Sequence, residues 1–243
     1  MNETPFLLEC RKAFEGVAVP TIVSTLGKYG LRTRFFNRLR PISVSNSRFI
    51  GEAFTLRTVP VREDLRDAIN AGKIRNPHRE ALSKVTAGQV LVFDARETGT
   101  VSLIGDIIAR YLLRQGVVAV VTDSGVGDGT GIDALGLPVF SAGSAPVPGS
   151  NLLQVADSQQ PVGCAGVAVY PGDIIIGDDN GVVCVPRDMA LEVGKKAREQ
   201  EALEHFLMQR LDEGAPLEST YPPDQHTLVL YAEFQSRQLP GEA

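Results

Sequence analysis

Tryptophan is absent from the 243 residues, and cysteine, histidine and methionine occur only three times each. The cysteines, Cys10, Cys164 and Cys184, are odd in number, far apart and without a Cys-x-x-Cys pair. That pattern argues against a disulfide framework and a zinc ribbon, and leaves ordinary thiols, with Cys164 and Cys184 buried because they lie in apolar runs. His78, His205 and His226 are scattered, none pairs as His-x-x-x-His or adjoins a nucleophile, and a histidine-centred zinc or Ser-His-Asp site is not expected. No window approaches the roughly 18 apolar residues of a membrane span, and the first residues lack a basic segment followed by an apolar one. The expectation is a cytoplasmic chain with no membrane partner. Positive charge is short as well: 24 Lys and Arg against 29 Asp and Glu give a net charge of −5. No overall positive field gathers phosphates, so nucleic acid is not expected as a partner, although Arg32, Arg34, Arg38 and Arg40 form a local basic cluster. A Walker A loop is missing, and Gly125-Val126-Gly127-Asp128-Gly129 does not meet the Gly-x-Gly-x-x-Gly requirement of a dinucleotide loop.

Hydrophobic residues make up 43% of the chain, enough for a substantial core. The pattern predicts one domain over 1–243, with a core from about 20 to 205 and a helical extension from about 206 to 243. The first thirty residues read as helical, with Gly30 able to end the helix, and 31–47 as a basic, irregular connector. A strand is expected at 48–59 and a short helix near 63–72. Gln89–Asp94, a helix from Gly105 to Gln115 and a strand from Val117 to Thr122 form a βαβ unit, whose strands should be parallel. A turn of helix near 130–135 leads to a strand at 138–141. From 161 to 186, Gly163, Gly166, Pro171-Gly172 and Asp178-Asp179-Asn180-Gly181 punctuate short apolar runs as hairpins do. A long helix should follow Pro186 to about Leu211, either on the surface or reaching towards another subunit, and a terminal helix should cover 224–237.

Two places carry chemistry. At Gly105-Asp106-Ile107-Ile108 a helix begins, and the free N–H groups of its first turn suit carboxylate or phosphate oxygens. The alternative is a glycine that permits a tight turn and an aspartate that complements the helix dipole. In the loop after the next strand, Asp123 and Asp128 are either turn-formers and caps or ligands. Because the two places belong to successive elements of one βαβ unit, they should fall on the same rim, where open α/β sheets place ligands.

Gly105-Asp106-Ile107-Ile108, Asp123-x-Gly125-Val126-x-Asp128, Pro161-Val162-Gly163 and Pro171-Gly172-Asp173 through Asp179-Asn180-Gly181-Val182-Val183 together resemble the 4-hydroxy-4-methyl-2-oxoglutarate aldolase family, which includes the RraA-like regulators of ribonuclease activity. Gly51-x-Ala53-x-Thr55 fits it too, the resemblance covers roughly residues 20–205, and the tail with Tyr221-Pro222-Pro223 looks like that of a longer subgroup. The resemblance implies an α/β fold of layered αββ type, related to swivelling phosphohistidine domains, with helical N- and C-terminal extensions. It implies a homotrimer or dimer of trimers with sites at subunit interfaces. It also implies a lyase that cleaves 4-carboxy-4-hydroxy-2-oxoacids, or decarboxylates oxaloacetate, to pyruvate with Mg²⁺ or Mn²⁺. By motif position Asp128 is the metal ligand, Asp106 holds metal-bound water as a second catalytic residue, and Gly105 to Ile108 cradle the substrate.

Gly127 belongs to the same substrate-binding set, and positions 124 and 127 depart from the pattern. The family reads Asp-Gly-Gly-Val-Arg-Asp where this chain has Asp123-Ser124-Gly125-Val126-Gly127-Asp128. The arginine of active members contacts the keto and carboxylate oxygens, which Gly127 cannot do. Another cation (Lys73, Arg75 or Arg79), a different substrate, or binding without catalysis as in the regulator branch would account for it.

Overall fold

The computed structural model describes residues 3–238; the domain expected over 1–243 also takes in residues 1, 2 and 239–243, which lie outside the described part. Two helices open the chain, α1 (Pro5–Ala13) and α2 (Val19–Lys28), where the sequence suggested one helical stretch. Gly16, at φ +74°, breaks them apart. After β1 (Arg40–Pro41) and the twelve-residue β2 (Phe49–Pro60) come α3 (Glu63–Asn70) and α4 (Pro77–Leu82). The βαβ unit consists of β3 (Gln89–Asp94), α5 (Asp106–Arg114) and β4 (Ala119–Thr122), and β3 and β4 are parallel as expected. Then follow β5 (Gly125–Val126), α6 (Gly129–Leu135), β6 (Val139–Ser141), β7 (Gly143–Ser144) and β8 (Leu153–Ser158). Two antiparallel hairpins, β9 (Val162–Cys164) with β10 (Val167–Val169) and β11 (Ile174–Asp178) with β12 (Gly181–Val185), confirm the reading of 161–186. The tail is α7 (Ala190–Asp212), α8 (Leu217–Thr220) and α9 (Gln225–Gln238).

The main sheet runs β1-β6-β4-β3-β2-β11-β12, with β8 also on β2. β2 is long enough to serve two partners on one edge: Phe49–Glu52 pair with β11, and Leu56–Pro60 with β8. The connector before it is irregular but not idle. Phe36 N–H donates to the Val182 carbonyl at 3.0 Å beside β12, and a few residues on β1 pairs with β6 at the opposite edge. One short segment thus ties both edges, and the fold is mixed α/β with a nearly closed mixed sheet and terminal helices.

Period-two alternation explains why the strands read as unbroken apolar runs. Val90, Val92, Ala119, Val121, Ile175 and Cys184 point to one core, with Phe36, Phe140 and the β9–β10 hairpin. Leu91, Phe93 and Val120 point the other way, against Ala109 and Leu112 of α5 and Ile132 of α6. Ile174, Ile176, Val183 and Val185 face a third core built by α1, α2 and α7. All three cysteines are buried, as expected for Cys164 and Cys184. The far half of α7 does not simply lie on the surface: Phe206 packs on Tyr231 and Phe234 of α9, with ring centroids 5.3 and 5.1 Å away. Among the described residues no helix is long and apolar enough to cross a membrane.

Candidate functional site

Gly105 caps the N-terminus of α5, and Asp128 occupies the equivalent place before α6. Because α5 returns to the sheet between β3 and β4, these two helix starts meet on one rim. A Cβ built on Gly105 would lie 2.7 Å from Asp128 Oδ2, so the carboxylate rests on the glycine where no side chain fits undisturbed. Asp128 adopts the left-handed conformation, φ 53° and ψ 39°, which costs energy for a residue other than glycine and clusters at functional sites. Its carboxylate is exposed and does not cap its own helix. The first intrahelical bond of α5 runs from Ala109 N–H to the Gly105 carbonyl, 3.0 Å, so the N–H groups of Asp106, Ile107 and Ile108 have no intrahelical acceptor.

An open cleft of about 490 Å³ lies here, lined by Gly105, Ile108, Gly127 and Asp128 together with Ser102 and the Ser144–Pro148 loop. Of the residues singled out by sequence, those four share it. Asp106 is half-buried and packs instead towards α6, where a Cβ on Gly131 would meet its Cβ at 3.0 Å. The Ile107 side chain is 82% exposed and points away, which leaves only its backbone for this site.

Ser102 was not legible as a site residue. Its Oγ accepts from Gly127 N–H and donates to the Ile104 carbonyl, both at 2.8 Å. Its backbone joins the 145–149 loop at Val147 and Gly149, 2.8 Å each. One serine therefore holds the α5 entry, the Gly127 loop and the far wall in register. The Ser144–Pro148 wall escaped notice for a related reason: a Pro-Val-Pro-Gly turn announces a loop but not the strand end it meets.

Asp123 belongs elsewhere. It is buried, and its carboxylate accepts N–H groups of Ala95 (2.6 Å), Glu97 (2.9 Å) and Ala165 (3.5 Å). Burial raises its pKa against the pull of those bonds. It stitches three loops together and lines a separate cleft with Arg38 and Glu97.

His78, on α4, packs on Phe93 with ring centroids 5.3 Å apart, and its Nε2 is buried without a hydrogen-bond partner. Burial first, and the neighbouring Arg79 charge second, lower its pKa from 6.5 to about 4. Neutral in the folded chain, it binds a proton in the unfolded chain below pH 6.5, so the unfolded state holds more protons from there down to about pH 4. Stability from this group is fully present above that window and is lost as pH falls through it. Compared with His78→Asn, the wild type should lose about 2 kcal/mol between pH 7.5 and pH 5 in urea unfolding. Parallel pH profiles for the two proteins would contradict this. Asp94 and Asp123, whose pKa values burial raises, act with the opposite sign in both proteins and cancel in the comparison.

The model of the family described as RraA-like, Aldolase/RraA, matches residues 19–184. The chain belongs to the Aldolase/RraA family. A Halalkalibacterium halodurans protein provisionally named 4-hydroxy-4-methyl-2-oxoglutarate aldolase is 29% identical over 123 residues, 51% of this chain and 58% of that protein. Protein DlpA of Legionella pneumophila is 29% identical over 180 residues, 74% of this chain but 28% of its own length. The chain thus spans less than two thirds of either relative. Among solved structures, Streptomyces coelicolor RraAS2, described as an unusual member of the RNase ES inhibitor RraA protein family, superimposes with a TM-score of 0.74 at 27% identity, covering 85% of this chain and 98% of its own. An uncharacterized Pseudomonas syringae protein shares the fold of this Aldolase/RraA chain with a TM-score of 0.76 at 24% identity, over 90% of this chain and 99% of its own.

Proposed function

We propose that the Asp128 cleft binds a small 2-oxo acid together with a divalent cation, Mg²⁺ or Mn²⁺. On this reading the chain is a lyase for substrates of the 4-carboxy-4-hydroxy-2-oxoacid or oxaloacetate type. One observation carries it: an exposed carboxylate, held in a left-handed backbone conformation, lies against Gly105, the cap of a helix whose first N–H groups have no intrahelical acceptor. No group of three or more metal-ligating side chains occurs among the described residues. The donor set in the cleft is one carboxylate, Asp128, and Asp106, which packs towards α6, would act only through water. That set fits a cation of the Mg²⁺ kind, which keeps several waters and is held by one or two carboxylates plus substrate oxygens. Bound there, the ion supplies Lewis-acid compensation for negative charge building on the keto oxygen.

The chain's own groups do the remaining work. The N–H groups of Asp106, Ile107 and Ile108 take the substrate carboxylate at the positive end of the α5 dipole. Ser102, through Gly127 N–H and the Ile104 carbonyl, fixes the distance between that cradle and Asp128. Gly105 leaves the carboxylate its place. Its backbone, φ −128° and ψ −172°, is open to alanine, so Gly105→Ala should fold with nearly unchanged stability. The added methyl group displaces Asp128 Oδ2, and the affinity for Mn²⁺ with pyruvate should fall about tenfold to a hundredfold. Equal affinities in a calorimetric titration would count against the geometry.

Purified protein supplied with Mg²⁺ or Mn²⁺ and either oxaloacetate or 4-hydroxy-4-methyl-2-oxoglutarate should release pyruvate, and its absence would defeat the lyase reading. Assembly as a trimer or pair of trimers, in swivelling-domain-like layers with each site completed across an interface, is part of the same proposal. The exposed apolar pair Ile107 and Tyr111, one turn apart on α5, supports it. A second reading, binding without turnover to regulate a ribonuclease, is favoured by Gly127, which brings no cation to the site. Inhibition of a ribonuclease by the purified chain, with no pyruvate formed, is its signature.

A further inference from the structure

The Asp128 cleft continues past Ser102. A second opening of about 650 Å³ shares with it the wall formed by Ser102, Leu103, Ile108 and Pro148. Its other sides are largely apolar, from Leu82, Ile107 and Tyr111, and its one charged lining residue is Arg79. Among the described residues no acidic side chain pairs with that guanidinium. The adjacent Glu80 is engaged by Lys84 at 3.3 Å, and the Arg79 hydrogen bonds are those of its backbone, whose N–H donates to the Asn76 side chain at 3.2 Å and whose carbonyl accepts from Ser83 N–H at 3.1 Å. The two clefts are thus electrically opposite, with Asp128 as the single charged residue of one and Arg79 of the other.

We propose that the second cleft holds the far end of the substrate and that Arg79 binds an anionic group there. This rests on the reading of the Asp128 cleft as the 2-oxo acid site, and it names the substrate class: a 2-oxo acid with an apolar body and a distal carboxylate. The chemistry of the walls requires both parts. Apolar sides favour methylene groups over water, and a guanidinium at the edge of such a lining forms a stronger, forked bond to carboxylate than it does in open solvent. The arrangement also answers the absence of a cation at Gly127. An anionic substrate finds no positive side chain in the first cleft, and the protein's complementary charge stands in the second.

Binding of pyruvate, 2-oxoadipate and 2-oxosuberate to the full chain in saturating Mn²⁺, followed by calorimetry, tests the inference. At least one of the longer acids should bind about tenfold or more tightly than pyruvate. In Arg79→Gln that ratio should fall to near one, and Arg79→Lys, which keeps the charge but not the fork, should restore part of it. Pyruvate binding with no advantage for either longer acid, or an advantage that survives Arg79→Gln, overturns the second cleft while leaving the first intact. No binding of any of the three acids overturns both.

Discussion

Replacing Asp128 with asparagine should lower pyruvate release from oxaloacetate by about a thousandfold while leaving the fold intact. Asparagine keeps the size of the side chain and, like aspartate, tolerates the left-handed conformation at φ 53°. It removes only the negative charge. Because Asp128 is exposed and does not cap its helix, the structure loses no internal contact with that charge, and unfolding free energy should change by less than about 1 kcal/mol. A catalytic loss without a stability loss separates a ligand from a turn-former. Asp128→Ala should lose as much activity and somewhat more stability, since alanine is less at home in that backbone region. Comparable rates for wild type and both variants would remove Asp128 from the mechanism.

The second large effect runs in the opposite direction. Gly127→Arg should raise the rate on oxaloacetate or 4-hydroxy-4-methyl-2-oxoglutarate by about a hundredfold. A charge-assisted contact to a developing anion in a sheltered site contributes about 2–4 kcal/mol. The site can take the side chain: a Cβ at 127 would have ordinary contacts with Ser102 Cβ at 3.8 Å and the Ala145 carbonyl oxygen at 3.9 Å, and one tight contact, Ser102 Oγ at 3.1 Å, which a shift of a few tenths of an ångström relieves. The bond from Gly127 N–H to the same oxygen uses the backbone and survives the substitution. A steady-state comparison on both substrates measures the gain. An unchanged or lower rate in a folded variant would mean that the substrate lies differently from what the Asp128 cleft implies, or that Arg79 already compensates from the neighbouring cleft.

The features that were legible in the sequence are those decided locally. Strands buried on both faces announce themselves as apolar runs, and the β11–β12 hairpin shows its turn in Asp178-Asp179-Asn180-Gly181. The meeting of α5 with the 123–128 loop followed from chain order alone, since the helix of a βαβ unit must return to the sheet beside its own strand. α4 and β8 were not legible. The first has only six residues, beginning at Pro77 behind an Asn76 cap, and the second is defined by a partner, β2, about a hundred positions earlier in the chain. Asp123 and Asp128 show the limit most clearly. They are chemically the same residue, five positions apart in one loop. The backbone turns one inward, where three N–H groups claim it, and turns the other outward at a positive φ, where no helix-capping bond holds it. No local pattern separates them, because the difference lies in which distant loops supply the donors.

The central claim is that Asp128 and a 2-oxo acid hold one cation between them, and Mn²⁺ binding followed by electron paramagnetic resonance, with and without oxalate as a mimic of the enolate form of pyruvate, tests it most directly. Linkage requires each ligand to strengthen the other equally. The wild type should bind Mn²⁺ weakly alone and at least about tenfold more tightly with oxalate, and Asp128→Asn should abolish that gain. Strong Mn²⁺ binding that ignores oxalate, or a gain that persists in Asp128→Asn, would contradict it.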